Sequence, residues 1–429
     1  MAAAPVDLPL SRHLLSLPLW RVTMRNIQCL LAFACVITVT VIIFSVSELW
    51  ATSTRSNRTL GQLNLNPEHL VSRKSTAGNR SESRAVSKSL LKQPTTNCPE
   101  LKFITNLVGD REMDLTHGIP MEELEKMIFQ NQTQRIRGIV SNGNHEMQGL
   151  HGTNATAVNG SLAGRPLIAD NLSKLQVLVS DYLYLPGGHW SPATCLPRWK
   201  VAIVVPYRNR TEQLSMFLRY MVPFLQKQLL EFAIYIVNQE NDSAFNRGML
   251  LNVGFLESLN FSHWDCFVFH DVDHLPQSEF NPYGCLDLPR HFVGGVDIRK
   301  YRLPYSTWVG GVYGFTTQQF WHINGFANVY WGWCCEDDDL EIRVRSAALN
   351  THRYMGALGH YKAIRAHHEK STKGLGQLEK RSRVLLKKLR SRLKTDGLNS
   401  LVYKTPHLEL HTLYTNISVD IHDTPNSER

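Results

Sequence analysis

Short apolar runs alternate with amphipathic stretches through the middle of the chain. Four of these runs have the length of buried strands: 175–179, 199–206, 232–237 and 266–270. Between them, 216–230 and 245–259 carry apolar residues at helical spacing and predict helices. Strands that alternate with helices indicate an α/β domain with a mostly parallel central sheet.

A much longer apolar run stands near the start of the chain. Residues 26–47 carry no charge, and a run of this length can cross a bilayer as one helix. Arg21 and Arg25 precede it and Glu48 follows, which predicts a cytoplasmic tail at 1–25. A cleaved signal peptide is the alternative, although its apolar region is usually about 7–15 residues long. We therefore expect an uncleaved signal-anchor helix and a single-pass type II protein.

Composition divides the remaining chain. Residues 48–97 are polar and predict a flexible lumenal stem, followed by a lumenal domain at 98–429. Within that domain, 130–165 lacks periodicity and predicts a long loop. Glycosylation sequons agree with a lumenal location. Their asparagines are Asn57, Asn79, Asn131, Asn154, Asn159, Asn171, Asn209, Asn241, Asn260 and Asn416.

The net charge of +9 is concentrated towards the C-terminus. Residues 362–394 contain twelve Lys and Arg against two Glu, with leucines at helical spacing. An amphipathic helix with a solvated basic face explains this pattern. The alternative is an electrostatic rim that attracts an anionic donor or an acidic glycan. No nucleic-acid partner is expected in the lumen.

Six cysteines lie in the predicted lumenal part, where disulfides persist. They are Cys98, Cys195, Cys266, Cys285, Cys334 and Cys335. The residues alone leave several pairings open. A bond between the adjacent Cys334 and Cys335 is not expected, because the ring that it closes is strained.

Charged side chains follow the predicted strands at their carboxyl ends, where α/β sheets bind ligands. Asp271 and Asp273 follow the run that ends at residue 270, and oxygen ligands of this kind suit Mn²⁺ or Mg²⁺. A turn or capping role is the alternative. Arg208 and Arg210 follow the run that ends at 206, and arginines bind phosphate oxygens well.

Two tryptophans precede four consecutive carboxylates at 336–339. The face of Trp333 suits the apolar side of a sugar ring, and a carboxylate held at a helix start can take a proton from a hydroxyl. An acidic helix N-terminus with no further role is the alternative. Downstream, His367 and His368 are candidate metal ligands. Together these motifs predict a metal-assisted site for an anionic donor and a carbohydrate acceptor.

In this order, the motifs resemble the β-1,4-galactosyltransferase family of type II Golgi membrane glycosyltransferases. The resemblance extends from Cys98 to Asp420, apart from 130–165. The matching segments are 206–210, 245–247, 269–276, 283–291, 303–305, 310–312, 324–326, 331–333, 336–339 and 396–401. It implies a GT-A type nucleotide-sugar transferase domain that uses Mn²⁺ and a UDP-sugar and inverts the anomeric carbon.

The resemblance also implies roles for matching positions. UDP would be held by Pro206, Tyr207, Arg208, Arg210, Phe245 and Arg247. Asp271 and Val272 would contact the donor, and Asp273, with His367, would bind Mn²⁺. Trp333 would lie against both sugars, Glu336 and Asp338 would position them, and Asp337 would be the general base. The implied disulfides are Cys98–Cys195 and Cys266–Cys285.

Three positions depart from the family pattern. Cys334 and Cys335 replace two glycines that usually follow the tryptophan pair. The usual Met-Ile-X-His metal motif reads Ala-Ile-Arg-Ala at 363–366, so His367 stands one place late. Trp308 replaces a smaller aromatic residue at a position that influences the choice of donor sugar in the family.

The resulting hypothesis is a Golgi enzyme that transfers galactose from UDP-galactose to a terminal N-acetylglucosamine or related sugar through a β-1,4 linkage. The acceptor would be a glycoprotein or a glycolipid, and the oligomeric state stays open. N-acetylgalactosamine transfer is the alternative activity. A catalytically weak, glycan-binding homologue is the alternative outside the enzyme class.

Overall fold

A computed structural model describes residues 94–148, 168–364 and 375–422, which all belong to the unit Ser87–Arg429. The predicted tail, the anchor at 26–47 and the stem before residue 94 lie outside the described residues. Among the described helices, none is both long and apolar enough to cross a membrane.

Helices and strands alternate through the described ranges. The α-helices are α1 (Met121–Phe129), α2 (Thr133–Gln148), α3 (Ile168–Leu172), α4 (Thr211–Lys227), α5 (Arg247–Ser258), α6 (Thr317–His322), α7 (Glu336–Ser346), α8 (Leu375–Lys387) and α9 (Leu389–Arg392). The strands are β1 (Val177–Val179), β2 (Tyr182–Leu185), β3 (His189–Pro192), β4 (Lys200–Tyr207), β5 (Glu231–Gln239), β6 (Cys266–His270), β7 (His274–Pro276), β8 (Arg290–His291), β9 (Gly295–Val296), β10 (Val312–Thr316), β11 (His352–Arg353), β12 (His360–Ala363), β13 (His407–Leu410) and β14 (Thr415–Val419). Short 3₁₀ helices lie at Leu101–Phe103, Gln130–Gln132, Ser173–Leu175, Asp297–Arg299, Gly356–Gly359 and Leu398–Ser400.

The main sheet is parallel at its centre and mostly antiparallel outside it, although the outer strands β8 and β11 also pair in parallel. Strand β4 lies between β5 and β6 and is parallel to both, and β14 is parallel to β5. The outer order is β1-β2-β3-β5 on one side and β6-β10-β8-β11 on the other, with mostly antiparallel pairs. The α/β class is confirmed, but the prediction of a mostly parallel sheet holds only for these central strands. The whole sheet is mixed.

This topology sets the position of the motifs. Because β4 and β6 are parallel, the residues after Tyr207 and after His270 leave the sheet at the same edge. Strand β10 is antiparallel to β6 and begins at Val312, opposite His270. The glycines at 310 and 311 therefore reach this edge from the other direction. The Asp271 amide donates to the Gly311 carbonyl at 2.9 Å.

A smaller sheet, in the order β7-β12-β9, extends the same region. In its middle strand, β12, Ala363 pairs with His274 of β7. The Ile364 amide then donates to the Asp273 carbonyl at 2.8 Å, so the chain leaves the described part at residue 364 directly beside Asp273. His367 and His368 follow within 365–374, outside the described residues.

The predicted loop at 130–165 is wrong over Thr133–Gln148, which is helix α2. Ile136, Val140 and Met147 lie buried along one face of this helix. The Asn144 side chain bonds both main-chain groups of Leu410 in β13, at 2.9 and 2.8 Å. Helix α2 is therefore held by tertiary contacts that its polar sequence does not reveal. Residues 149–167 lie outside the described part.

Three disulfides are present among the described cysteines. Cys98 bonds Cys195 and Cys266 bonds Cys285, the two pairings that the resemblance implies. The third joins Cys334 to Cys335, so the expectation that these two do not bond is wrong. Adjacent side chains point to opposite sides of an extended strand, but both cysteines have positive φ, and this bend lets their sulfurs meet.

The basic stretch near the C-terminus is helical, as predicted. Helices α8 and α9 span most of it, and Leu389 is buried while Arg383 is exposed. Arg392 donates to Asp396 and to the Tyr330 hydroxyl, at 2.5 and 3.1 Å. The basic helices thus pack against the segment that precedes α7.

Candidate active site

Arg247, the first residue of α5, joins the two acidic motifs. Its Nε donates to Asp271 Oδ1 at 2.7 Å, and its Nη1 donates to Asp337 Oδ1 at 3.0 Å. Only 13% of its side chain is exposed. The Asn246 side chain accepts from the Met249 amide at 2.9 Å, which fixes the helix start that carries Arg247. One buried cation therefore brings the strand end and the start of α7 into a single site.

Asp273 lies at the centre of a cluster that suits a metal ion. Its Oδ1 accepts from His274 Nδ1 at 2.8 Å, and its Oδ2 accepts from Arg210 at 3.3 Å. One ligand atom each from Asp271, Asp273 and His274 lie within 4.8 Å of one another. Carboxylate oxygens with an imidazole nitrogen match the preferences of Mn²⁺.

Asp337 approaches the main chain at Gly310. A Cβ atom on Gly310 would lie 2.6 Å from Asp337 Oδ2 and equally close to the Trp308 ring. The Gly310 carbonyl accepts from His291 at 2.8 Å, so this segment is itself held in place. A side chain at residue 310 would therefore displace the Asp337 carboxylate or the Trp308 ring.

The four consecutive acids of α7 have separate environments. Asp339 is buried, accepting from Arg343 at 2.5 Å and from the Tyr330 hydroxyl at 2.8 Å. Asp338 accepts from the Tyr305 hydroxyl at 2.6 Å. Asp337 accepts from Arg247. Asp339 therefore has a structural role, while the preceding residues face the site.

Burial raises the pKa of both Glu336 and Asp337. The Asp337 charge adds to the rise in the pKa of Glu336, whereas Arg247 opposes the rise for each residue. The charges of Asp271 and Asp338 also raise the pKa of Asp337. A carboxylate with a raised pKa binds a proton more strongly, which suits a group that has to accept one.

The pKa of His274 is also raised, but for a different reason. Burial lowers its pKa, but the hydrogen bond and the charge of Asp273 outweigh that effect, so the net change is upward. A metal ion beside Asp273 would compete with this proton, because a coordinating histidine is neutral.

The remaining predicted donor residues lie around the end of β4. The Arg208 guanidinium lies 5.4 Å from the centre of the Phe245 ring and donates to the Ser243 carbonyl at 2.6 Å. Pro206 and Tyr207 are the last residues of β4. Val272 is buried between the two aspartates of its motif. The predicted donor residues thus surround the same edge of the sheet as Asp271.

The two tryptophans differ in exposure. Trp331 is 6% exposed and belongs to the core, whereas Trp333 is 73% exposed. Trp333 stands three residues before Glu336, so an exposed aromatic side chain directly precedes the acidic run. This arrangement suits a sugar that lies between the ring and the carboxylates.

Two histidines in the site were not predicted from sequence. His274 follows the Asp271–Asp273 triplet directly, and its signals were that adjacency and its place in the matching segment 269–276. Buried His270 has its pKa lowered to about 3 by burial and is neutral. Its Nδ1 donates to the Asp271 carbonyl at 2.8 Å, and its Nε2 accepts from the Tyr283 hydroxyl at 2.9 Å. Because His270 ends an apolar run, its sequence position indicates a core residue and not a contact to Asp271.

Comparison with known proteins defines the class. A family model described as the N-terminal region of glycosyl transferase group 7 matches residues 158–286. A second, described as the N-terminal domain of galactosyltransferase, matches residues 290–369. The first match includes Asp271 and Asp273, and the second includes the acids at 336–339.

Curated relatives give the family. β-1,4-Galactosyltransferase 4 of Cricetulus griseus is 40% identical over 269 residues, which are 62% of this chain and 77% of the relative. β-1,4-Galactosyltransferase 6 of Homo sapiens is 49% identical over 246 residues, 57% of this chain and 63% of that protein's length. The chain belongs to the β-1,4-galactosyltransferase family.

Among solved structures, the catalytic domain of Drosophila β1,4-galactosyltransferase 7 in complex with xylobiose is 29% identical. The match covers 53% of this chain and 96% of that one, with a TM-score of 0.45.

Proposed function

We propose that this protein is an inverting glycosyltransferase that moves galactose from UDP-galactose to a terminal N-acetylglucosamine or related sugar, forming a β-1,4 linkage. Family membership supports this activity and a GT-A type fold. The observation that carries the proposal is Arg247, which holds Asp271 at 2.7 Å and Asp337 at 3.0 Å. A group that binds the donor and a group that accepts a proton thereby share one site.

The residues divide the reaction between them. Asp337 takes the proton of the acceptor hydroxyl as that oxygen attacks the anomeric carbon, and the bond to UDP breaks on the opposite face of the sugar. Arg208 and Arg210 offer charge-assisted hydrogen bonds to the diphosphate or to uracil. Trp333, Glu336 and Asp338 orient the acceptor sugar, which lowers the entropy cost of reaching the reactive geometry.

The donor atoms fit a bound Mn²⁺. Asp273, with Asp271 or His274, would hold the ion, and His367 remains a further proposed ligand outside the described residues. When bound, Mn²⁺ would neutralise charge on the departing diphosphate. Arg210 and His274 both donate to Asp273 and orient its carboxylate.

A transferase assay tests the proposal. The purified full-length protein is supplied with Mn²⁺, a panel of UDP-sugars, and glycoprotein and glycolipid acceptors, and the product linkage is read by NMR. We expect β-1,4-galactosylated product, formed about 10²- to 10⁴-fold more slowly by Asp337→Asn. A protein that turns over no donor, yet binds glycans, would establish the weak, glycan-binding homologue instead.

Trp308 bears on the choice between galactose and the second candidate donor sugar, N-acetylgalactosamine. Its ring occupies the space that a Cβ on Gly310 would need, and Gly310 borders Asp337. Trp308 therefore lies beside the region proposed for the donor sugar. Comparing kcat/KM for UDP-galactose and UDP-N-acetylgalactosamine, in the wild type and in Trp308→Tyr, decides between the two donors. A wild-type preference for the second donor would replace the first assignment.

We also propose that the protein is a single-pass type II membrane protein of the Golgi with a lumenal active site. The uncharged run at 26–47, the preceding arginines and the sequons support this topology. Protease protection in sealed microsomes, read beside removal of N-glycans, tests it. Digestion of the C-terminal domain in intact vesicles would contradict the proposal.

A further inference from the structure

The turn before α7 has a backbone that favours glycine. Cys334 has φ of 107° and Cys335 has φ of 87°. Side chains disfavour this region, because Cβ approaches the neighbouring carbonyl oxygen. Two consecutive residues with side chains would relax towards negative φ unless something prevents them. Here the two side chains are joined by a disulfide.

This turn controls the start of the helix that carries the proposed base. Helix α7 begins at Glu336, and no side chain caps its first turn. The Cys335 carbonyl accepts from the Asp339 amide at 2.9 Å, so the turn supplies the first hydrogen bond of the helix. A change of φ at Cys335 would rotate that carbonyl and shift Asp337 with it.

One cysteine of the pair is anchored in the fold. Cys335 is 6% exposed and packs with Ala327 and Tyr330, and the side chains of Leu385 and Leu386 from α8 cover this cluster. Cys334 is only partly buried. The disulfide therefore ties Cys334, the partly buried neighbour of Trp333, to the buried Cys335.

We propose that the Cys334–Cys335 disulfide is a positioning element of the active site. It locks the turn in its left-handed form and so sets the distance between Trp333 on one side and Glu336 and Asp337 on the other. The acceptor sugar is the ligand that this spacing affects. The inference rests on the proposed function, and it assigns to the pair a role in acceptor binding and turnover.

The test compares two double variants with the full-length wild type. Cys334→Gly with Cys335→Gly removes the bond but accepts positive φ, so we expect kcat within about threefold of the wild type. Cys334→Ala with Cys335→Ala removes the bond and keeps the backbone penalty. We expect it to lose about 10- to 100-fold in kcat, with a raised acceptor KM and an unchanged donor KM.

Reduction supplies a second arm. Dithiothreitol transfers two electrons and two protons to the disulfide, giving two thiols, and closes to its own cyclic disulfide. We expect the wild type to fall to the level of the alanine variant, with both thiols verified by mass spectrometry. The glycine variant, which retains Cys98–Cys195 and Cys266–Cys285, is the control and should not respond. Equal activity of the alanine and glycine variants would overturn the proposal. An equal loss of activity on reduction in the wild type and in the glycine variant would overturn it as well.

Hydrogen exchange tests the positioning role of the disulfide independently of the proposed transferase activity. The amides of 336–339 should exchange faster after reduction in the wild type, and their rates should not change on reduction in the glycine variant. This readout needs no substrate. If no donor is turned over, the proposed function fails while the exchange result still decides whether the disulfide holds the helix start. Unchanged exchange in the fully reduced wild type would refute the positioning role.

Discussion

The strand end at 271–274 and the helix start at 336–339 carry similar acids but are built differently. At the strand end, Asp271 and Asp273 each accept from an arginine, at 2.7 and 3.3 Å, and the neighbouring parallel strands fix their position. At the helix start, position depends on a left-handed turn, on Gly310 and on packing against α8. The first region follows from sheet topology, whereas the second requires several distant contacts.

The helix start also shows why a row of identical charges does not act as one unit. Each residue of an α-helix is rotated by about 100° from the one before it. Asp337 and Asp339 consequently face different surroundings, one the site and the other the core beside Arg343. Their roles separate for a geometric reason, and four predictions test that separation and the contrast with the strand end.

Loss of the proposed base has the largest expected effect. Asp337→Asn keeps the size of the side chain but removes its ability to accept a proton, so kcat should fall by about 10²- to 10⁴-fold. The measurement is kcat at saturating donor and acceptor. Asp338→Asn is the control and should mainly raise the acceptor KM, because Asp338 bonds Tyr305. Equal losses in kcat for both variants would mean that the two acids do not differ in role.

Removal of the buried charge should reduce stability. Asp339→Asn leaves Arg343, whose side chain is 1% exposed, without its nearest counter-charge. We expect the free energy of unfolding to fall by about 3–5 kcal/mol, measured by urea denaturation. Glu379→Gln breaks the exposed pair with Arg383 and should cost at most about 1 kcal/mol. A loss for Asp339→Asn as small as that of the control would contradict the structural role.

A smaller effect is expected at the strand end. His274→Ala removes either a metal ligand or the group that orients Asp273, and apparent Mn²⁺ affinity should fall by about 10- to 100-fold. Titration of activity with Mn²⁺ measures this change. The exposed His322 of α6 supplies the control variant, His322→Ala, which should leave the affinity unchanged. An unaffected metal titration in His274→Ala would exclude this histidine from the metal site.

The smallest predicted effect is a shift in pH dependence. Asp337 has to be ionised to accept a proton, and its pKa is raised, so activity falls as pH decreases through that pKa. Arg247→Gln removes a cation that lowers the pKa of Asp337. The acid limb of kcat/KM should then move to higher pH by about one unit.

Arg208→Gln is the matched control for this shift. Arg208 donates to main-chain carbonyls near Phe245 and not to Asp337. The Arg208→Gln substitution should weaken donor binding and leave the acid limb of kcat/KM at the same pH. A limb that moves equally in both variants would show that the shift does not come from Asp337.

Several elements were predictable because local pattern and tertiary environment agree. The apolar run at 266–270 is β6 with the predicted bounds, and 245–259 contains helix α5. Strands β4 and β6 are parallel neighbours, so the residues that follow them lie at the same edge of the sheet. Arg208 and Arg210 follow β4, and Asp271 follows β6. The grouping of these residues at one edge of the sheet was therefore predictable from sequence.

Other features were not, because distant residues decide them. Helix α2 is polar and contains glycine, yet Leu410 and the core stabilise it. His274 became visible as a site residue only through its distance from Asp273. The Cys334–Cys335 bond depends on two positive φ angles that no local pattern indicates.

By itself, the sequence determined the α/β class, the family resemblance and the residues proposed to carry the chemistry, since these depend on residue type and on order along the chain. Only the tertiary structure decided how the acids divide, through Arg247, Gly310 and Arg343. The physical reason is that the environment of a carboxylate is set by burial and by charges from other elements. Both depend on distances in space that the sequence does not state.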